Sequence, residues 1–484
     1  MEELDIAAVT KRSIHGVFAL VTRTLFIQVV TFVVNVVLTI FLTPAIFGVY
    51  FVVSSMIAFL QYFSDIGLAA ALIQKKETIT QEDLTTTFTL QQILVISACV
   101  IALALSPIVG KFYHLENEGI FLFQSLIVAF FLSSLKTIPS ILLERNLRFE
   151  KLVIPQIVET LFFNLTALVL AVKGFGIASF TWAVLLRGIS GVVTMYIISP
   201  WPVRLGFSKS VAKRLLSFGI PFQANSFLAL LKDDLLIAYL GKALPLTQVG
   251  YIGFAQKWAY TPLRLIMDNV IRITFPSFSR LQHETAHLAR GIEKSLFALC
   301  LLIFPSLTGL VILSPLFIHL VPKYQKWDPA LLSLGFFAVN AGISSISTPL
   351  TNALNAIGNI KVSLYLMVFW TIATWVLTPL AIFFYGFNGV SFASVMIACS
   401  VIYVVWLTNK YVPISIIKPV GYPLIATAVM AVILFLVRGV LPISWVTIIS
   451  LILIGIVSYF GSIILIARNE VLSDLATIRR QFVK

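Results

Sequence analysis

The sequence predicts an all-α, polytopic membrane protein with fourteen transmembrane helices, arranged as two six-helix lobes in parallel repeat followed by two C-terminal helices. Three observations predict it: a composition foreign to water-soluble chains, fourteen windows of membrane-crossing length, and landmarks that recur about 202 to 212 residues apart. Of 484 residues, 59% are hydrophobic and only 11% charged, with 39 Phe and a mean hydropathy of +1.00. A soluble chain of this length needs far more charge to cover its surface, so the solvent it is built for is lipid.

Charge and cysteine usage exclude several functions. The net charge of +14 sits in short loops between apolar runs and is not interleaved with aromatics, which argues against a nucleic-acid partner. Cys99, Cys300 and Cys399 lie far apart inside apolar runs, leaving neither a disulfide framework nor a CxxC metal site.

The elements follow in order. Glu2, Glu3 and Asp5 precede Lys11 and Arg12, and no small-residue cleavage site follows a short apolar core, so residues 16–41 read as an uncleaved first span. Spans 2 and 3, at about 46–66 and 86–109, flank a loop carrying Lys75 and Lys76. Spans 4, 5 and 6 are read at about 119–141, 152–171 and 176–199, which closes an N-lobe of residues 1–200. Spans 7 to 12, at about 215–240, 247–271, 295–321, 330–355, 361–384 and 388–409, make a C-lobe of residues 201–412. Spans 13 and 14, at about 419–437 and 443–467, occupy the 413–467 segment. In the 468–484 tail, Val471, Leu475, Ile478 and Phe482 repeat at helical spacing opposite Arg479 and Arg480, the pattern of a cytoplasmic interfacial helix. Pro139, Pro221, Pro262, Pro305 and Pro349 fall within spans, where they kink helices or shape packing. Asn164-Leu165-Thr166 fits a glycosylation pattern but is mid-span and unreachable.

The repeat rests on three landmarks. Phe47-Gly48-Val49-Tyr50 is echoed by Val249-Gly250-Tyr251, Pro139 by Pro349, and Gly174-Phe175 with Ser179-Phe180 by Gly386-Phe387 with Ser391-Phe392. Six helices per repeat is an even number, so both lobes enter the membrane in the same sense, a transporter architecture.

Six basic residues lie inside spans, namely Arg23, Lys136, Arg187, Lys232, Lys257 and Arg264, against four acids, Glu159, Asp233, Asp234 and Asp268; Asp65 sits at a span end. A charge at the bilayer centre costs about 2.5 to 3.5 kcal/mol on insertion scales, so most of these must be paired or face water. In span 8, Lys257, Thr261, Arg264 and Asp268 form one stripe at a 4, 3, 4 spacing. Span 1 repeats that spacing with Thr24, Gln28, Thr31 and Asn35, span 10 carries Asn340, Ser344, Ser347, Thr351 and Asn355, and span 7 carries Asn225 and Lys232. A polar, partly cationic cavity between the lobes would collect these faces. The alternatives are local: Lys136 snorkels at a span end, Arg23 divides evenly between snorkelling and cavity lining, and Lys232 neutralises Asp233 and Asp234. The cation excess points to an anionic substrate.

His283-Glu284-Thr285-Ala286-His287 reads H-E-x-x-H, a zinc protease pattern when on a helix. It lies in the loop after span 8, flanked by Arg280 and Arg290, with no motif for a third ligand, and reads as a solvated loop rather than a metal centre.

Leu42-Thr43-Pro44 leading to Phe47-Gly48-Val49-Tyr50, then Asp65-Ile66-Gly67-Leu68 with Ala71-Leu72-Ile73-Gln74, resembles the opening signature of Wzx-type polysaccharide flippases. Pro139 with Leu142-Leu143 and Arg145-Asn146-Leu147-Arg148-Phe149 is similar to the family's segment after span 4, and Phe275-Pro276 with Ser279-Arg280-Leu281-Gln282 to that after span 8. The resemblance covers nearly the whole chain. It implies membership of the superfamily that holds multidrug exporters and the lipid II flippase, and outward movement of undecaprenyl-diphosphate-linked oligosaccharide across the bacterial cytoplasmic membrane by alternating access. It also implies a cationic substrate cavity at Arg23, Arg187, Lys232, Lys257 and Arg264. Implied too are no enzyme chemistry, no metal, no cofactor beyond a coupling H+ or Na+, and a polysaccharide polymerase and glycosyltransferases as partners. Span 11 has no acid, a departure from relatives with a sodium site there, which leaves Glu159, Asp233, Asp234 and Asp268 as ion-coupling or charge-orienting candidates. A drug exporter of the same fold is the competing reading, but a cation exporter calls for an acid-dominated cavity.

With both termini cytoplasmic, 22 basic residues fall on that side and only Lys111, Lys173, Lys242, Lys323, Lys326 and Arg438 face outward, as the positive-inside rule requires. Single cysteines placed at Lys326 and Arg438 should therefore be labelled by an impermeant maleimide in intact cells, and those at Lys76 and Arg480 should be protected. Labelling of position 480 from outside would overturn the topology.

Overall fold

The computed structural model describes residues 24, 26–65, 67–75 and 77–466. Its regular structure among these residues is helical throughout, as lipid demands, since a backbone N–H or C=O with no water beside it must be satisfied within its own segment. In chain order the helices are α1 (Phe26–Phe41), α2 (Pro44–Asp65), α3 (Leu68–Gln74), α4 (Gln81–Phe112), α5 (Asn117–Leu135) and α6 (Thr137–Arg145). They continue with α7 (Phe149–Val172), α8 (Ala178–Ile198), α9 (Lys209–Lys232), α10 (Asp234–Ala243), α11 (Leu246–Arg280) and α12 (Thr285–Leu320). After a 3-10 segment (Pro322–Ala330) come α13 (Leu331–Ala356), α14 (Ile360–Tyr385), α15 (Asn388–Ala398), α16 (Val401–Tyr411), α17 (Ile417–Val440) and α18 (Trp445–Ile466).

Eleven segments among the described residues are long and apolar enough to cross a membrane, so this is a multi-pass membrane protein. Where the residues are described, the sequence windows fall largely on helix; the first is described continuously only over Phe26–Phe41, which is helical. Two further windows stand outside the eleven for physical reasons: span 7 is divided into α9 and α10, and α11 carries Lys257, Arg264, Asp268 and Arg272. Arg23 and the 468–484 tail lie outside the described residues.

Three windows are divided where one helix was expected. Span 4 breaks at Lys136, where α5 ends and α6 begins; Pro139, third in α6, has no N–H to give and crowds the carbonyl four residues back, so a fresh first turn is the unstrained solution. Span 7 breaks at Asp233, between Lys232 and Asp234. Span 12 breaks at Cys399 and Ser400, where the Ser400 hydroxyl accepts the Trp370 indole N–H at 2.9 Å. Pro349, the repeat partner of Pro139, is buried inside an unbroken α13.

The chain forms two compact units, Met1–Gly250 and Tyr251–Lys484, with the boundary inside α11. In the first, α4 packs on α5, α5 on α8, α8 along α7, and α2 against α10. In the second, α12 packs on α13, α13 on α15, and α15 along α14, an order of pairings that parallels the first, while α17 and α18 pack on α12. Leu68, Leu84, Phe88, Ile138, Trp201 and Leu215 form a core in the first unit; Leu316, Met430, Leu434, Leu451 and Tyr459 seat the last two helices in the second. Outward faces are apolar as well, with Val100 and Ile108 on α4, Ile372 and Phe383 on α14, and Val457 and Leu465 on α18 exposed, the surface of a protein solvated by hydrocarbon.

The sequence repeat has a backbone counterpart. Gly174 and Gly386, at equivalent turns before α8 and α15, both take positive φ (83° and 59°), which a side chain would oppose. Gly48 and Gly250 meet within the first unit: a Cβ on Gly48 would stand 1.8 Å from the carbonyl oxygen of Leu246, and one on Gly250 1.9 Å from that of Pro44. Pro44 and Leu246 open α2 and α11, so each helix offers a glycine to the other's first turn.

One polar cluster ties the first unit together. Asp83, 1% exposed, closes a capping box with Thr80, its carboxylate accepting from the Thr80 N–H at 2.9 Å, from Lys75 Nζ at 2.5 Å and from Arg214 Nη2 at 2.6 Å. Arg145 clamps the same connection, donating to the carbonyls of Leu72 (2.9 Å), Lys75 (2.6 Å) and Glu77.

Overpacking a tight contact costs about 1 to 3 kcal/mol and more where backbone is the obstacle. Gly48→Val should therefore cut the folded protein recovered from membranes by more than half, measured by size-exclusion chromatography of a fluorescent fusion. Gly421→Val, where a Cβ meets nothing within 4 Å, should leave it unchanged.

Candidate functional site

Two in-span cations of the first unit, Lys136 and Arg187, converge on Glu159. This residue lies midway along α7 with its side chain 12% exposed, and the break at Lys136 brings the Lys136 ammonium into an ion pair with Oε1. Arg187 of α8 approaches the other oxygen, with Nε 3.7 Å from Oε2, and its guanidinium carbon is 5.9 Å from the Phe163 ring centroid. Glu159 and Phe163 are four residues apart and share a face of α7, so the guanidinium spans both. Gly191, one turn beyond Arg187, leaves room for the carboxylate: a Cβ there would stand 2.3 Å from Oε1.

The helical register shows which way Arg187 points. It shares a side of α8 with buried Phe180, Val184 and Gly191, while the exposed apolar stripe of Trp182, Leu186, Ile189 and Val193 occupies the opposite side. Phe180 stacks on Tyr50 of α2 with centroids 4.3 Å apart, and Tyr50 is within electrostatic reach of Arg187. Arg187 is nonetheless 56% exposed, so its guanidinium is not enclosed by its neighbours.

Lys136 was expected to snorkel at a span end; it pairs with Glu159 instead, because the helix break turns it inward. At the second break, Lys232 Nζ lies 2.6 Å from Asp233 Oδ1, the neutralising alternative read for this residue, with Asp234 opening α10. Asp233 is 63% exposed, so this pair contributes little to stability.

In the second unit, Lys257, Arg264 and Asp268 are all exposed on one side of α11. Thr261 does not extend the stripe as a free donor: its hydroxyl donates to the Lys257 carbonyl at 2.7 Å. Among the described residues no ion pair joins Arg264 to Asp268, although they are one turn apart. The span 10 stripe is in part structural. Asn340 accepts from Tyr260 Oη at 2.7 Å and donates to the Ser394 carbonyl at 2.6 Å, so it fastens α11 and α15 to α13. Sequence spacing missed this, and missed Lys136, Asp83 and Gly191, because each depends on a partner far along the chain.

Over residues 37–332 the sequence matches the model of a family described as polysaccharide biosynthesis protein. The chain belongs to that family.

Within it, the chain is 26% identical over 336 residues to the lipopolysaccharide biosynthesis protein WzxC of Escherichia coli (strain K12), a match that takes in 67% of this chain and 66% of that protein. It is 26% identical over 389 residues to the teichuronic acid biosynthesis protein TuaB of Bacillus subtilis (strain 168), covering 78% of this chain and 79% of that one. Among solved structures, the lipid II flippase MurJ in an inward closed conformation superposes with a TM-score of 0.77 at 15% identity, over 93% of this chain and 99% of that one. An inward-facing multidrug MATE transporter of the MOP superfamily follows at 0.62 and 13%, over 79% and 95%. The fold is therefore like that of MurJ and the MATE transporter, as the Wzx-type motifs led one to expect.

The histidine motif stands apart from this. His283 lies in a turn ahead of α12 and His287 within its first turn, so the pair does not share a helical face as a zincin requires, and the Glu284 carboxylate is occupied 2.9 Å from His287 Nδ1. Among the described residues no cluster of His, Cys, Asp and Glu could hold a metal. Replacing both histidines with Ala should leave polysaccharide export within two-fold of the parental rate and bound zinc, by elemental analysis, unchanged. Joint loss of export and zinc would reinstate the metal site.

Proposed function

We propose that the protein is a flippase that moves undecaprenyl-diphosphate-linked oligosaccharide from the cytoplasmic to the outer leaflet of a bacterial cytoplasmic membrane, for cell-surface polysaccharide. In this reading it crosses the membrane fourteen times, both termini are cytoplasmic, and the lobes 1–200 and 201–412 alternate access to a substrate held by cations. A polysaccharide polymerase and glycosyltransferases would act before and after it.

The observation that carries the proposal is the stripe on α11. Lys257 and Arg264 are exposed in the middle of a helix whose neighbours in sequence are apolar spans, and Arg264 has no ion-pair partner among the described residues. A cation exposed within such a helix is tolerated only where it faces water or an anion. A diphosphate cannot enter hydrocarbon without losing its hydration, and charge-assisted bonds from Arg and Lys replace it; the polyprenyl tail can stay in lipid. Membership of a polysaccharide biosynthesis family and likeness to WzxC and TuaB support this substrate class. No covalent step is required of the protein. For coupling to H+ or Na+, Glu159, Asp233, Asp234 and Asp268 are the acids at hand. A drug-exporter reading draws on the MATE likeness but leaves the cationic stripe without a role.

Each charge-assisted bond to phosphate contributes about 1.5 to 3 kcal/mol. Arg264→Ala should weaken substrate binding about ten-fold or more, and Arg264→Lys, which keeps the charge but loses the planar fork, should fall between Ala and the parent. The measurement is complementation of a strain lacking the protein, with the membrane level of each variant checked. If Lys257→Ala/Arg264→Ala is made in normal amount and exports glycan at the parental rate, these residues are structural and the proposal fails.

A further inference from the structure

We infer that Lys136 and Arg187 form a diphosphate-binding station inside the first unit, and that Glu159 is its built-in counter-ion, which yields Arg187 to the substrate and reclaims it on release. This inference rests on the flippase reading and assigns Glu159 a positioning role rather than that of a coupling acid.

The geometry distinguishes the two cations. Lys136 is held by Glu159 in a close ion pair with both side chains nearly buried. Arg187 is held loosely: 3.7 Å is beyond hydrogen-bond length, more than half of the side chain is exposed, and among the described residues its guanidinium makes no hydrogen bond. Its Nη fork is therefore available for bidentate contact with a phosphate, the geometry for which Arg is suited. Two cations against one acid leave the cluster at +1 when empty.

The site is also shaped for an exchange of anions. Gly191 lets the carboxylate lie against α8, so Glu159 can reach Arg187 without leaving Lys136. Phe163 lies under the guanidinium, and Phe180, stacked on Tyr50, shares the Arg187 side of α8. Lys136 sits where α5 ends, so its backbone is not locked into a continuous helix. An arriving diphosphate takes the Arg187 fork while Glu159 keeps Lys136, and on departure the carboxylate provides the nearest replacement. Without the carboxylate the station would carry +2, capture anions more tightly and release them slowly.

The test uses full-length protein in nanodiscs, with inorganic pyrophosphate as the binding probe, and the same variants for glycan export in a strain lacking the protein. Glu159→Gln should tighten pyrophosphate binding about ten-fold while lowering the maximal export rate, and Arg187→Ala should weaken binding about ten-fold. Lys136→Met/Glu159→Gln, which restores the charge to +1, should return affinity to within about three-fold of the parent. Should Glu159→Gln unfold the protein, the charge-balanced double variant compared with Lys136→Met alone gives the same comparison. Pyrophosphate affinity unchanged or weakened in folded Glu159→Gln overturns the counter-ion role, whatever export does. If affinities follow the stated order but the parental protein restores no glycan export, the anion station stands and the flippase reading fails.

Discussion

The cost of an uncompensated charge in hydrocarbon is the constraint on which this structure turns. Water would solvate a lysine or arginine anywhere on a soluble surface, whereas within a bilayer each must find an acid, a carbonyl, an aromatic face or a wet hollow. The chain meets this in two ways. Glu159 is nearly buried and gathers two cations, so most of the charge there is compensated inside the protein. Lys257 and Arg264 on α11 are exposed instead, an arrangement that makes sense only beside water or an anionic ligand.

The same solvent explains why the fold was so legible. A span must be long, apolar and internally hydrogen-bonded, and each requirement leaves a mark in sequence, so among the described residues the windows read from hydropathy fall largely on helix. Breaks were harder to read, because hydropathy reports burial rather than continuity. Pro139 ends a helix where Pro349 does not, although both are prolines near the ends of equivalent spans; what differs is the residue pattern ahead of them, with Lys136 drawn to Glu159 in one case and an apolar, packed α13 in the other. The Gly48 and Gly250 landmark was visible as a repeat, but its reason, backbone meeting backbone, required coordinates.

Site residues were legible by type and not by partnership. Helical spacing placed Lys257 and Arg264 on one face, where the structure also places them, since that inference needs only the period of one helix. It put Asn340 in the same class, yet that side chain joins α11, α13 and α15, because an amide in a helix contact is indistinguishable in sequence from one lining a cavity. Lys136 and Glu159 are 23 residues apart across a helix break, a relation no local spacing rule can carry.

A carrier must bind its cargo strongly enough to replace water and weakly enough to let it go. Unpaired cations satisfy the first requirement and work against the second, as a site of uncompensated positive charge would hold a diphosphate indefinitely. An acid within reach changes that balance, since release then exchanges one anion for another and does not leave a cation bare in a medium that cannot solvate it. Glu159 stands in that relation to Arg187 now, at 3.7 Å. Asp268 is one turn from Arg264 and so within range of the same service, though in this structure the two are not joined. On the proposed flippase reading, the acids placed among these cations therefore need not bind a coupling ion to matter: their place beside the cations would set how readily an anion leaves.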